Sequence, residues 1–230
     1  MKKNKIIRLI SYLLILVGII LLALPRINQY RIGNRQEKNT QVAQDTSAQS
    51  MKDNLNSETS FDFDSIEEIT TTGTWLSPEY IDPSLIIGRL YLPSIDVNLT
   101  VFNGVTNEIL HAGVGTMRPD LKMGEGNFPI AGHYSQDDSI LFGDLISMEI
   151  GDDIFLTDNE TVYEYRVYET RVVEPTEVEW IQDDVAESHG KPIISLMNCY
   201  YVDGHRTDDR YFVFGELVDT HDISDIDWKK

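Results

Sequence analysis

The hydrophobic residues of this chain follow two different patterns. Near the N-terminus, a predominantly apolar run covers residues 9–24, and residues 6–7 extend it past the single Arg8. In a helix with a rise of 1.5 Å per residue, about 18 such residues are just long enough to cross a bilayer. From Leu85 onward, the apolar runs are short and alternate with turn signals, which is typical of an all-β fold. We therefore expect a closed β-barrel of about eight strands with a few short helices, preceded by one transmembrane helix.

The short apolar runs predict the positions of several barrel strands. These strands cover residues 86–92, 97–102, 152–156, 162–173, 193–197 and 211–218. Turn-forming pairs such as Asn103-Gly104 separate them. Helices are predicted only over residues 107–112 and 139–148.

The N-terminal apolar run carries a signal for its orientation. Four basic residues, Lys2, Lys3, Lys5 and Arg8, precede most of it and favour a cytoplasmic N-terminus. A cleaved secretory signal has the same basic start and apolar core. The apolar region is long, however, and its end lacks a small-x-small cleavage site. We therefore interpret it as an uncleaved anchor of a single-pass cell-membrane protein whose main domain is extracellular.

Composition divides the chain into five parts. They are a cytoplasmic N-terminus (1–5), a transmembrane signal-anchor (6–25), a stalk (26–73), a barrel domain (74–220) and an acidic tail (221–230). The stalk is rich in polar residues and has few large apolar groups, so it cannot bury enough surface to offset its ordering entropy. We expect it to be a flexible coil, with a segment near 61–69 able to form a short amphipathic helix.

Charge and cysteine content exclude some functions. The chain carries 19 basic and 38 acidic side chains, for a net charge of −19. Residues 1–38 hold eight of the basic groups and only one acidic group, so the remainder has 11 basic and 37 acidic groups and a net charge of −26. Such a surface repels phosphate backbones, which makes nucleic acid a poor partner. A single cysteine excludes an intrachain disulfide framework and a Cys-rich zinc site.

That cysteine, Cys199, follows the apolar run 193–197 after one residue, Asn198, and precedes a polar, turn-prone stretch. Taken alone, a single cysteine is most often a small hydrophobic core residue. Here the thiol is expected where a buried strand meets a loop, which is the partly exposed setting that nucleophilic cysteines need.

A nucleophilic thiol also needs a base and a cation nearby. His133 follows an apolar run ended by small residues, which is expected to place its imidazole at a strand end, whereas His111 lies in a helix-like stretch and is interpreted as structural. Arg206 lies in the predicted loop after the cysteine, and Arg210 opens the last strand. A guanidinium on a fixed backbone suits an oxyanion, because preorganised donors need not reorganise during reaction.

Several sequence motifs resemble class A sortases of Gram-positive bacteria. They are LYLPSIDVNLTVFNG (90–104), TNEILHAGVGTMRPDLKMGEGNFPIAGHYS (106–135), SLMNC (195–199) and RYFVFGEL (210–217). The resemblance implies a sortase-type barrel and a cysteine transpeptidase, or thiol endopeptidase. It further implies Cys199 as nucleophile, His133 as acid–base catalyst and Arg210 as oxyanion or substrate-backbone donor.

The resemblance also implies substrates. Such an enzyme cleaves a Leu-Pro-x-Thr-Gly sorting signal of surface proteins between Thr and Gly, and transfers them to an amine of the peptidoglycan precursor lipid II. Ala131, Met197 and Asn198 are expected to bind the signal, and Asn198 stands where the family usually has Thr. No cofactor is required. Calcium, which several relatives bind, is left open because no ligand spacing stands out and no metal site is predicted.

Two alternatives stay open at this point. A class C, pilin-polymerising sortase would carry an Asp-Pro-aromatic lid motif, and Asp82-Pro83 is present here, but Ser84 replaces the aromatic residue. The chain could also be a catalytically silent, membrane-anchored barrel that only binds a peptide. Such a protein would be expected to lose one of the three key residues, and all three are present.

Overall fold

The computed structural model describes residues 2–63, 66, 69, 71–78 and 81–225. Its centre is a closed barrel, which confirms the eight-stranded fold expected from the sequence. The strands are β1 Ile86–Leu92, β2 Val97–Phe102, β3 Val114–Thr116, β4 Asn127–Gly132, β5 Asp153–Thr157, β6 Thr161–Val173, β7 Ile193–Val202 and β8 His205–Asp222. Around the barrel they follow the order β1-β2-β3-β4-β7-β8-β6-β5.

Short helices connect these strands, and a long helix precedes them. The α-helices are α1 Lys2–Asp45, α2 Ala48–Asn54, α3 Thr71–Leu76, α4 Asn107–Leu110 and α5 Asp183–His189. Single 3-10 turns cover Pro83–Leu85, Pro93–Ile95, Leu145–Ser147, Val178–Ile181 and Ile223–Asp225. The prediction of a helix over 139–148 is therefore wrong, since only one 3-10 turn forms there.

The region expected to be a flexible stalk is helical where the structure describes its first half. Helix α1 continues through Pro25 to Asp45, and α2 follows it. Ile32 and Met51 are buried against the barrel, at 1% and 0% exposure. The prediction of a flexible coil is wrong for this part of the chain, because a polar residue need not be exposed to solvent. Four of the nine residues of the segment 61–69, where a short helix is expected, lie outside the described residues.

Amide side chains explain how a polar helix docks. Gln36 of α1 accepts a hydrogen bond from the Leu141 backbone N–H at 3.0 Å and donates to the Asn98 carbonyl at 3.4 Å. At the other end of the helix, the Asn159 amide donates to the carbonyls of Ala43 and Thr46. These bonds satisfy backbone groups that docking removes from water.

The polar stretch after Cys199 is a β-hairpin and not a loop. Strand β7 continues to Val202, and β8 begins at His205. The intervening Asp203 and Gly204 both have positive φ, 51° and 77°, which suits a two-residue hairpin turn. The expected loop is therefore corrected, because paired backbone hydrogen bonds stabilise strands whose side chains are polar.

Buried Asn127 ties together the strands that support this end of the barrel. Its amide nitrogen donates to the carbonyls of Trp180 and Gln182, both at 3.1 Å, and its amide oxygen accepts from Ser195 Oγ at 2.7 Å. These bonds join β4, β7 and the connection between β6 and β7.

Replacing Asn127 by leucine is expected to lower the free energy of unfolding by about 2–4 kcal/mol, because buried carbonyls lose their donors. Urea unfolding of the detergent-solubilised chain, followed by circular dichroism, measures the loss. Ser195→Ala removes only one of the three bonds and is the control, expected to cost about 1 kcal/mol. Equal losses for both variants would contradict the bridging role of Asn127.

Candidate active site

Three neighbouring strands bring the three key residues into one row. Strands β4 and β7 are parallel with Ala131 opposite Met197, so His133 and Cys199 each lie two residues further on. Strand β8 is antiparallel to β7, and Arg210 is the direct partner of Cys199. Residues two apart on a strand share a face, and so do directly opposite residues.

These residues line one cavity of about 290 Å³. The walls are mainly apolar, and polar groups gather at the row described above. The apolar lining includes Leu110, Met117, Ala131, Val173, Val178, Ile181, Met197 and Phe212. Phe63 and Ile66, from the segment before the barrel, complete the wall. An apolar cavity with a few convergent polar groups is the usual form of a ligand site.

His133 is buried, with 5% of its surface exposed. Burial lowers its pKa from 6.5 to about 3, and the neighbouring His111 and Arg206 add to the effect. The imidazole is therefore neutral at physiological pH and can accept a proton. Among the described residues, nothing hydrogen-bonds its Nε2 atom.

His111 is the neighbour that sequence reasoning took as only structural. Its ring meets the His133 ring edge-on, with 5.2 Å between the ring centroids. The Nδ1 atom lies 2.6 Å from the Asn107 carbonyl, to which it donates, so that Nε2 carries the lone pair. Burial lowers the pKa of His111 as well. No local sequence signal marks this contact, because barrel closure creates it.

Both candidate arginines line the cavity with half-buried Cys199. Arg206 lies in β8, paired with Tyr201, and not in a loop as expected. Its side chain lines the same cavity as His133, and its positive charge contributes to the lowered pKa of that imidazole. The Arg210 guanidinium donates to the carbonyls of Asp208 at 2.5 Å and Asp209 at 3.2 Å. The geometry thus leaves both cations within the site.

Two of the three expected substrate-binding residues line the cavity, Ala131 and Met197. Asn198 differs, because it points to the other face of β7, is only 3% exposed, and donates to the Phe142 carbonyl at 2.9 Å. The expectation that Asn198 contacts substrate directly is corrected by the alternation of side chains along a strand. Its hydrogen bond instead anchors the chain beside Cys199.

The Asp82-Pro83 pair has a local structural role. The Asp82 carboxylate accepts from the Ser84 backbone N–H at 2.9 Å and caps the 3-10 turn Pro83–Leu85. Neither Asp82 nor Pro83 lines the cavity that holds Cys199. The pair therefore does not support the class C alternative.

Metal ligands are not gathered anywhere in the part of the chain that the structure describes. Within residues 2–63, 66, 69, 71–78 and 81–225, no group of three or more His, Cys, Asp or Glu side chains is placed to hold an ion.

Comparison with known proteins places this geometry in a family. Residues 90–218 match the sortase domain. Sortase A of Listeria monocytogenes serovar 1/2a is 33% identical over 219 residues, covering 94% of this chain and 93% of the relative. Sortase A of Bacillus anthracis is 32% identical over 220 residues, or 96% and 98% of the two chains.

Solved structures agree with the sequence comparison. The crystal structure of Listeria monocytogenes sortase A superimposes with a TM-score of 0.54 and 40% identity, and covers 60% of this chain and 90% of that one. The family match over residues 90–218 includes Cys199 on β7, Arg210 on β8 and His133, which directly follows β4. The chain therefore belongs to the sortase family, and it is a class A sortase.

Proposed function

We propose that this cysteine transpeptidase cleaves a Leu-Pro-x-Thr-Gly sorting signal of surface proteins between Thr and Gly. It then transfers the threonine carbonyl to an amine of a peptidoglycan precursor, lipid II. The observation that carries the proposal is the single row of His133, Cys199 and Arg210 beside an apolar cavity. The cavity suits the Leu-Pro part of the signal, whose burial supplies binding energy.

The first half-reaction forms an acyl-enzyme. The Cys199 sulfur attacks the threonine carbonyl carbon, while neutral His133 takes the thiol proton. The carbon–nitrogen bond to glycine then breaks, and His133 returns that proton to the departing amine. The product is a thioester between threonine and Cys199, which splits one difficult exchange into two easier steps.

The second half-reaction reverses these roles. The acceptor amine attacks the thioester carbonyl and loses a proton to His133, and the sulfur leaves and regains a proton. An arginine donates hydrogen bonds to the oxygen that becomes negative in both steps. The chain supplies every group in this scheme, so we expect chelating agents to leave the rate unchanged.

The N-terminal half of α1 supports a location in the cell membrane. It is long and apolar enough to cross a bilayer by length and composition. We infer a single-pass protein whose N-terminus is cytoplasmic, given the basic residues before the apolar run, and whose barrel is extracellular.

The proposed reaction is tested with the detergent-solubilised full chain and a fluorescence-quenched peptide containing Leu-Pro-x-Thr-Gly. Mass spectrometry is expected to find the peptide's N-terminal part, ending in threonine, attached to Cys199. Adding an amine acceptor should convert that adduct into a transfer product. Cleavage at another bond, or no adduct on Cys199, would contradict the proposal.

The two arginines are expected to differ in effect. Arg210→Ala should lower kcat/KM by roughly 10²–10³, the usual loss for one oxyanion donor. Arg210→Lys should restore only part of it, because lysine lacks the planar fork. Arg206→Ala should cost less but raise the pKa of His133, moving the acidic limb of the pH–rate profile to higher pH.

Both variants are measured on one peptide, with circular dichroism as the folding control. A larger loss for Arg206→Ala would assign the oxyanion to Arg206. Small and equal losses would indicate that backbone N–H groups stabilise it.

A further inference from the structure

One continuous helix links the apolar run to the catalytic barrel. Helix α1 includes residues 9–24, passes through Pro25 without a break, and continues to Asp45. Its second part docks on the barrel through buried Ile32 and the amide hydrogen bonds of Gln36. The direction of α1 therefore sets how the barrel is oriented relative to the apolar run.

The hydrogen bonds of α1 show which end of the barrel lies nearer that run. Gln29, early in the docked part, accepts a hydrogen bond from Ser135 Oγ at 3.2 Å. Ser135 is only two residues from His133 in sequence. Ala43, near the end of α1, instead accepts from Asn159, in the turn between β5 and β6 at the opposite end of the barrel.

The rise per residue of an α-helix gives the distance of each contact from the end of the apolar run. Gln29 follows Leu24 by five residues, or about 8 Å along the axis. The polar layer on each side of a bilayer is about 5–8 Å deep. Ser135 therefore lies near the outer boundary of the headgroups, whereas the β5–β6 turn lies roughly 20 Å further out.

We propose that the active-site end of the barrel rests on the outer lipid surface of the membrane that α1 crosses. This inference rests on the proposed membrane anchoring. The barrel then does not move on a long tether, and the reacting groups lie at headgroup level, where a lipid-linked acceptor presents its amine.

The side chains at this end suit contact with headgroups. Tyr30 and Trp75 are 74% and 49% exposed, although both are large aromatic residues. The Arg31 guanidinium lies 4.2 Å from the centre of the Trp75 ring, and exposed Arg26 is one residue beyond Pro25. Tyr, Trp and Arg are the residues that favour the boundary between lipid and water, and arginine attracts lipid phosphates.

The orientation is tested with two labelled variants of the full chain in a Cys199→Ala background. Gln136→Cys places a fluorophore beside Ser135, and Ser224→Cys places one near the β5–β6 turn, where the Ile223 N–H donates to the Glu160 carbonyl. Both native side chains are exposed. The proteins are reconstituted into phosphatidylglycerol–phosphatidylethanolamine vesicles that contain a headgroup-attached quencher. We expect strong quenching at position 136 and weak quenching at position 224.

An insertion after Pro25 of about ten Gly and Ser residues provides the matched control, because a flexible linker uncouples the two parts of α1. With the insertion, the two labels should be quenched equally. Equal quenching without the insertion, or stronger quenching at position 224, would overturn the orientation. Failure of the protein to float with the vesicles would overturn it as well, by removing the anchor.

A separate assay distinguishes this inference from the proposed reaction. The chain with Cys199 intact is assayed for peptide cleavage in the same vesicles. Cleavage with equally quenched labels would reject only the orientation. Unequal quenching without cleavage would support the orientation and reject the proposed reaction.

Discussion

Replacing Cys199 by alanine is expected to abolish peptide cleavage and transfer together, a loss of at least about 10⁴-fold in kcat. Both half-reactions pass through the same sulfur, so no step remains that the other groups can perform alone. The side chain is half-buried and the substitution removes only one non-hydrogen atom, the sulfur, so the fold should be unchanged. Steady-state turnover with the quenched peptide measures the loss, and circular dichroism checks the fold.

Chemical modification provides an independent test of the same residue. Cys199 is the only cysteine in the chain, so a methanethiosulfonate reagent should inactivate the enzyme at one equivalent. The alanine variant should take up no reagent. Residual turnover close to that of the unmodified enzyme, in either experiment, would refute the assignment of Cys199 as nucleophile.

Replacing His133 by glutamine is expected to lower kcat/KM by about 10²–10⁴, the usual contribution of one acid–base group. Glutamine fills a similar space and forms hydrogen bonds, but it cannot take up the thiol proton. The acyl-enzyme should form slowly, which single-turnover measurements with the quenched peptide would detect. A loss of less than about tenfold would mean that another group moves the proton.

The same variant should change how stability depends on pH. The pKa of His133 is lowered from 6.5 to about 3 because the folded protein buries the ring. Within this pH range, the imidazole therefore binds a proton in the unfolded chain but not in the folded chain. The free energy of unfolding consequently decreases as the pH falls from about 6.5 to about 3. That pKa difference corresponds to a loss of roughly 5 kcal/mol at most in the free energy of unfolding.

Glutamine at position 133 should therefore make the free energy of unfolding less sensitive to acid within this window. Urea unfolding of the full chain at several pH values measures the difference. Cys199→Ala is the control, since it removes activity without removing the buried imidazole. Identical acid dependence in the histidine variant and the parent would contradict the neutral, buried state of His133.

Much of the fold could be predicted from the sequence because the signals are local. The long apolar run near the N-terminus predicts a spanning helix wherever it occurs, since its length matches the bilayer. The alternating runs after Leu85 predict strands because side chains alternate across a sheet. The sequence indicates Cys199 and His133 as candidate site residues, because each follows a short apolar run and precedes polar residues. These patterns need no knowledge of which strands are neighbours.

The tertiary structure alone decided which distant groups meet. His111 reaches His133, and Asn198 turns away from the cavity, because strand register and barrel closure fix each side chain's face. The docking of α1 on the barrel could not be predicted from the sequence, for another reason. Gln36 of α1 satisfies a backbone group of the barrel, and Asn159 of the barrel satisfies a backbone carbonyl of α1. Composition shows only that such residues are polar, whereas their burial depends on a partner surface that forms when the barrel closes.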